Sequence, residues 1–71
     1  MAGDLWSTVR TALDELPERQ RTVVVLRDVE GWTADEVSAV LGISPGNQRV
    51  LLHRARARVR ETLAPLVEVT S

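Results

Sequence analysis

The sequence predicts an all-α domain of four helices. Three observations carry that expectation. Apolar residues recur at helical spacing through most of the chain. Helix start and stop signals alternate in order. The one stretch of strict alternation, around Arg54 to Arg60, has no partner strand. The 71 residues allow one domain, 1–71, with a single core. There is no repeat, low-complexity run or linker to divide it.

The first helix is expected from about Asp4 to Leu16, with Asp4 as N-cap. Leu5, Val9, Ala12, Leu13 and Leu16 form its apolar face. Pro17 opens the second helix and Glu18 complements the positive end of its dipole. The run Thr22-Val23-Val24-Val25-Leu26 is locally strand-like. Its start signal and length favour a buried helix, ended by Gly31 as a C-terminal cap. The third helix begins at Thr33, where Thr33-Ala34-Asp35-Glu36 is a capping box. Val37, Val40 and Leu41 give it an apolar face, and Gly42 stops it. After the turn Gly42-Ile43-Ser44, Ser44 caps a fourth helix and Pro45 occupies its first turn. That helix should end near Leu63, limited by Pro65, with a fraying tail from Val67 to Ser71.

The stretch 47-NQRVLLHRARARVRE-61 tests the helical reading. A strand would put Arg54, Arg56, Arg58 and Arg60 on one face. A wheel at about 100° per residue instead gathers Leu51, Leu52, Ala55, Val59, Thr62 and Leu63 on one side. Arg49, Val50, His53, Arg54 and Ala57 take the other side. Arg56, Arg58 and Arg60 edge the apolar stripe, their stems along the core and their charges outside. The helix is the coherent solution. It places Gln48 at the centre of the core-facing stripe, where an unpartnered amide would cost roughly 1–3 kcal/mol. Gln48 is therefore expected to bond the preceding helix or turn, or to be exposed by rotation of the helix start.

Net charge is −1, but it is unevenly distributed. Residues 1–43 carry −4, residues 44–60 carry +5 with no acid, and residues 61–71 carry −2. Such asymmetry marks a local anionic partner better than the total does. There is no cysteine, so disulfides and thiolate metal sites are excluded. His53 is a single histidine without a second ligand candidate, and no metal or cofactor is expected. An enzyme fares badly: Ser44 has a capping role and no paired carboxylates converge. No segment has the apolar length of a membrane span and the N-terminus lacks the form of a signal peptide, so a cytoplasmic protein is expected.

A short capped helix, a turn with glycine and a second helix with a basic outer face make a helix-turn-helix, here at about 34–60. Ser38, four residues before Gly42, suits the close approach of its two helices. In this motif the second helix enters the major groove of DNA. Arg49 and Arg54 are placed to donate to guanine and Val50 to meet a thymine methyl. Asn47 faces outward toward a base or phosphate. The helix start at Ser44 offers backbone amides to a phosphate. Thr33, Arg56 and Arg58 are candidate phosphate contacts. Pairing with acids of the preceding helices is the competing role for Arg56, Arg58 and Arg60. Trp6 and Trp32 are expected to pack in the core or between helices, with a partner surface open to Trp6. Glu18, Asp28, Glu30, Asp35 and Glu36 form an acid-rich front, expected to serve as caps and surface charge or to meet a protein partner.

The segment 16-LPERQRTVVVLRDVEGWTADEVSAVLGIS-44, followed by HRARARVRE, resembles region four of the extracytoplasmic-function sigma factors of bacterial RNA polymerase. The pattern is a leucine-proline-acidic start, a helix ending in Glu-Gly, a short helix, Gly-Ile-Ser, and a helix carrying Leu-His-Arg-Ala-Arg. It spans residues 16–63, about two-thirds of the chain. The resemblance implies recognition of the promoter −35 element, contact with the polymerase β flap, and masking by an anti-sigma factor. Contacts carry over best to Arg49, His53 and Arg54. The family commonly has Gly-Thr-Val-Lys/Arg-Ser-Arg-Leu where this chain has 46-GNQRVLL-52. Gln48 replaces an apolar residue, and Val50 and Leu51 replace a serine and an arginine, so the promoter read should differ. The region-two domain such factors need is not in this sequence, which is expected to be a fragment unable to initiate transcription alone. Two alternatives share the helical plan. One is a protein-interaction module bound by an anti-sigma factor or polymerase without DNA reading, against which stands the acid-free basic face of residues 44–60. The other is the output domain of a response regulator, against which stand the Leu16-Pro17-Glu18-Arg19 start and the HRARARVRE end.

Overall fold

The computed structural model describes the backbone of residues 2–70 and the side chains of residues 5–64. Among them there is no strand. Helix α1 spans Ala2–Asp14, α2 spans Glu18–Val24 and runs on into a π-helical turn at Val25–Val29, α3 spans Ala34–Leu41, and α4 spans Pro45–Thr70. The all-α reading and the order of four helices therefore stand.

Several boundaries differ from the sequence expectation. Helix α1 starts at Ala2, so Asp4 lies inside its first turn and not at its N-cap. Pro17 precedes α2 with an extended ψ of 146°. Its carbonyl accepts the amide of Arg21 at 3.0 Å, so it acts as the cap residue and not as the first helical one. Helix α4 passes Pro65 instead of ending at Leu63. A proline removes one amide donor from a helix but need not end it when helix formers such as Leu63, Ala64 and Leu66 flank it. The expected fraying of Val67 to Ser71 falls outside the residues whose side chains are described.

The valine run is helical, as its length and start signal require. Val23 and Val24 are buried, and they join Leu16, Val37, Leu52 and Ala55 in one core cluster. Helix α4 is the hub against which α1, α2 and α3 all pack. The second helix widens at its end: the Glu30 amide reaches back five residues to the Val25 carbonyl at 3.0 Å, and the Trp32 amide six to Leu26 at 2.8 Å. Gly31, at φ 77°, turns the chain there. The Arg27 guanidinium closes the turn by donating to the Trp32 carbonyl at 3.0 Å. Trp32 packs against the core cluster.

The start of α1 departs from expectation. Val9, Ala12, Leu13 and Leu16 are buried or half-buried, whereas Leu5 and Trp6 are 54% and 59% exposed. Apolar spacing marks a face, but only its C-terminal part finds a neighbour. Trp6 is thus a surface residue and not a core one.

Candidate nucleic-acid interface

The site is built on α3, its turn and the first half of α4, and local chemistry sets each joint. Thr33 Oγ1 accepts the Glu36 amide at 3.1 Å, and Glu36 Oε1 accepts the Thr33 amide at 2.8 Å. These reciprocal bonds satisfy two helix-start donors. The Thr33 amide first, and its hydroxyl second, hold the Glu36 carboxyl below its ordinary value of 4.5. At the other end Gly42 adopts φ 67°, ψ 35°, and its amide and that of Ile43 both reach the Ser38 carbonyl. This left-handed residue reverses the chain in the space of a short turn.

Ser44 then starts α4. Its hydroxyl accepts the Asn47 amide at 3.0 Å and its carbonyl the Gln48 amide at 2.9 Å. Thr33 and Ser44 are both exposed, but their hydroxyls are engaged in capping. A Cβ at Gly46 would meet nothing nearer than the Ser44 hydroxyl at 4.0 Å, so the backbone at the helix start is open to a close approach.

From this start α4 divides as the wheel requires except at Thr62, which falls on the apolar side of the wheel but is exposed. Leu52 and Ala55 are buried, and Leu51, Val59 and Leu63 are half-buried. Asn47, Arg49, Val50, His53, Arg54 and Ala57 are exposed, and they form one outward face over the first turns. Thr62 is exposed, its hydroxyl turned back to the Arg58 carbonyl at 3.2 Å.

The arginines at the border part ways. Arg56 pairs with Asp28 through Nε to Oδ2 at 2.8 Å and Nη2 to Oδ1 at 2.6 Å. Arg58 and Arg60 are exposed. The Arg56 hydrogen bonds hold the Asp28 carboxyl below its ordinary value of 3.8, against a smaller upward push from burial. The sequence suggested acid pairing for Arg56 but not its partner, which lies 28 residues away.

Two polar side chains are buried in the motif. Ser38, at 7% exposure, has the small volume that the close helix approach requires, and its hydroxyl has no partner. Gln48 is 3% exposed. Its Nε2 donates to the Pro45 carbonyl at 3.5 Å, the outer limit of a hydrogen bond, and Oε1 has no partner. The wheel placed Gln48 correctly, but neither expected resolution is realised: it is not exposed, and its one bond stays within its own helix.

A groove of about 570 Å³ lies between α1, the π-helical turn and the later part of α4. Val9, Leu13, Val24, Val29, Val59 and Leu63 line it, with Asp28, Arg56 and Arg60 at its edge. No local sequence signal marks it, because it depends on how three elements diverge. Among the described residues no group of three or more potential ligands could hold a metal ion. Among them, too, no helix is long and apolar enough to cross a membrane.

A capped α3, a left-handed glycine, a capped α4 and an acid-free basic face on that second helix define a helix-turn-helix domain. Comparison with known proteins makes the assignment more specific: residues 7–59 match the family described as sigma-70, region 4, and the chain belongs to it. It is 42% identical over 60 residues to the ECF RNA polymerase sigma factor SigE of Mycolicibacterium smegmatis, covering 84% of this chain and 23% of that protein. It is 46% identical over 55 residues to the RNA polymerase sigma factor CarQ of Myxococcus xanthus, covering 78% and 32%. Against the ECF RNA polymerase sigma factor ShbA of Streptomyces griseus it is 52% identical over 48 residues, covering 68% and 25%. The chain thus spans about a quarter to a third of the length of these curated relatives.

Proposed function

We propose that this domain binds duplex DNA at a promoter −35 element, in the cytoplasm, as the region-four part of a sigma factor that directs RNA polymerase in transcription initiation. One observation carries the reading: Asn47, Arg49, Val50, His53 and Arg54 share the exposed face at the start of α4, within a stretch of +5 charge and no acid. The N-terminal part of such a helix enters the major groove, and its donors meet base edges. The open backbone at Gly46 suits a nearby phosphate. Arg58 is an exposed border arginine suited to a further phosphate, while Arg56 reaches one only at the expense of Asp28. Binding of the chain to promoter duplexes, followed by anisotropy across a salt series, tests this. Affinity should fall steeply with salt, because phosphate contacts release counterions. A salt-independent interaction would remove the proposal.

A second reading concerns protein partners and rests on the groove between α1 and α4. Its apolar lining and half-exposed rim suit a helix of the polymerase core, such as one in the β flap, or of an anti-sigma factor. Val29, 59% exposed at the groove wall, is the position to test. Val29→Glu should abolish capture of core polymerase while leaving DNA binding unchanged. Equal capture by wild type and variant would exclude the groove.

A further inference from the structure

Val50 stands in a singular place on α4. It lies about 200° around the helix from both Gln48 and Leu52, the buried residues two positions away on either side. It is 45% exposed and is not among the hydrophobics packed on the core. A β-branched residue is also a poorer helix former than the arginine and leucine on either side of it. Val50 therefore contributes little to the free fold. Asn47 and Arg54, three residues before and four after it, are exposed on the same row. The row thus reads donor, apolar, donor, inside a stretch with five arginines and no acid.

We propose that Val50 is a specificity-determining residue that reads a thymine methyl flanked on both sides by purines. This rests on the promoter-reading proposal above. The major-groove edges explain the choice. Thymine alone among the four bases carries a methyl there; adenine offers Asn47 an acceptor and a donor, and guanine offers Arg54 two acceptors. Cytosine presents an amino donor in that region and no methyl. The spacing agrees with the chemistry. Asn47 and Arg54 lie about 4.5 and 6 Å from Val50 along the helix axis. With bases about 3.4 Å apart, a helix along the groove sets each purine one or two base pairs from the thymine.

The test works whichever promoter the domain reads. The chain selects duplexes from a random-sequence library, and each selected thymine is then replaced singly by deoxyuridine, which lacks only the methyl. At one thymine, uracil should weaken wild-type binding about three- to fivefold, as for loss of one buried methyl group. Val50→Ala should bind the thymine duplex more weakly and show no response to uracil at that position. Circular dichroism should show the same helix content and melting for both proteins. A selected sequence with no methyl-sensitive thymine, or one whose sensitivity survives in V50A, overturns the role of Val50 and leaves promoter reading intact. A library from which no sequence emerges removes both proposals together.

Discussion

Arg56 and Asp28 join α4 to the π-helical turn through two parallel hydrogen bonds, 2.8 and 2.6 Å long. The side chains are 41% and 36% exposed, so solvent screens the pair. Its bidentate geometry places it toward the upper end of the range for surface pairs, roughly 0.5–1 kcal/mol. The Asp28 carboxyl titrates below its ordinary value of 3.8, chiefly through the Arg56 hydrogen bonds. A depressed native value means that the stabilisation is complete above about pH 4 and is lost as pH falls through the native value. Urea unfolding of Arg56→Ala at pH 7 should show that modest loss. Asp28→Asn should be destabilised at pH 7 and lack this part of the acid sensitivity. An Asp28→Asn protein with an unchanged stability-against-pH curve would refute the linkage.

The exposed arginines should separate by what each contacts. Arg54→Ala removes a central donor of the outward face and should cost on the order of 1–3 kcal/mol on the selected site, mostly absent on unrelated sequence. Arg58→Ala should weaken both DNAs alike and flatten the dependence of log affinity on log salt by about one unit. Arg56→Ala should alter the slope less than Arg58→Ala, because its guanidinium already holds Asp28. Fluorescence anisotropy at four salt concentrations distinguishes the three. Slopes equal to that of wild type in all three variants would mean that none of these arginines contacts phosphate.

The joints of the motif should be sensitive in proportion to their local chemistry. Thr33→Ala loses the capping hydroxyl and should cost about 1 kcal/mol. Gly42→Ala meets no steric obstacle, since nothing lies within 4 Å of the added Cβ. Its cost comes from the backbone at φ 67°, roughly 1–2 kcal/mol for an L-residue. Gly42→Asn should recover part of that loss, because asparagine tolerates the left-handed region better. Chemical denaturation of the three variants gives the ranking, and an alanine variant as stable as wild type would show that the turn relaxes to another conformation.

What could be read from sequence divides along the range of the interactions. The caps at Thr33, Gly42 and Ser44 depend on groups within five residues, and all three are formed as expected. The wheel separated Leu52 and Ala55 from Val50 and Arg54 because a helix has a fixed period. The Asp28–Arg56 pair joins two elements, and no local pattern chose Asp28 over the other acids. Leu5 carries the spacing of a buried face and Trp6 the size of a packing residue, but burial needs a neighbour, and local sequence cannot tell how far that neighbour extends. Pro65 was a stop signal that a long flanking helix overrode. The widened turn at Val25–Val29 has no composition signature, and the groove beside it follows from the same geometry.

Gln48 is the remaining position where the wheel was right and the chemistry was not settled by it. The side chain is buried, its amide nitrogen is held weakly at 3.5 Å by the Pro45 carbonyl, and Oε1 is unpaired. An unpaired buried polar atom costs about 1–3 kcal/mol, whereas a long hydrogen bond returns little. Methionine has a similar unbranched shape and fills irregular core space without a polar demand. Gln48→Met should therefore raise stability by about 1 kcal/mol, seen as a higher urea midpoint at constant m-value. Gln48→Ala should lower it, because the vacated volume leaves a cavity beneath the first turns of α4. A Gln48→Met protein destabilised by about 1 kcal/mol or more would instead fit a buried water that satisfies Oε1 and joins the amide to a second polar group. Ser38, whose hydroxyl is also buried without a partner, would be the first candidate, and Ser38→Ala should then lose as much stability as Gln48→Met.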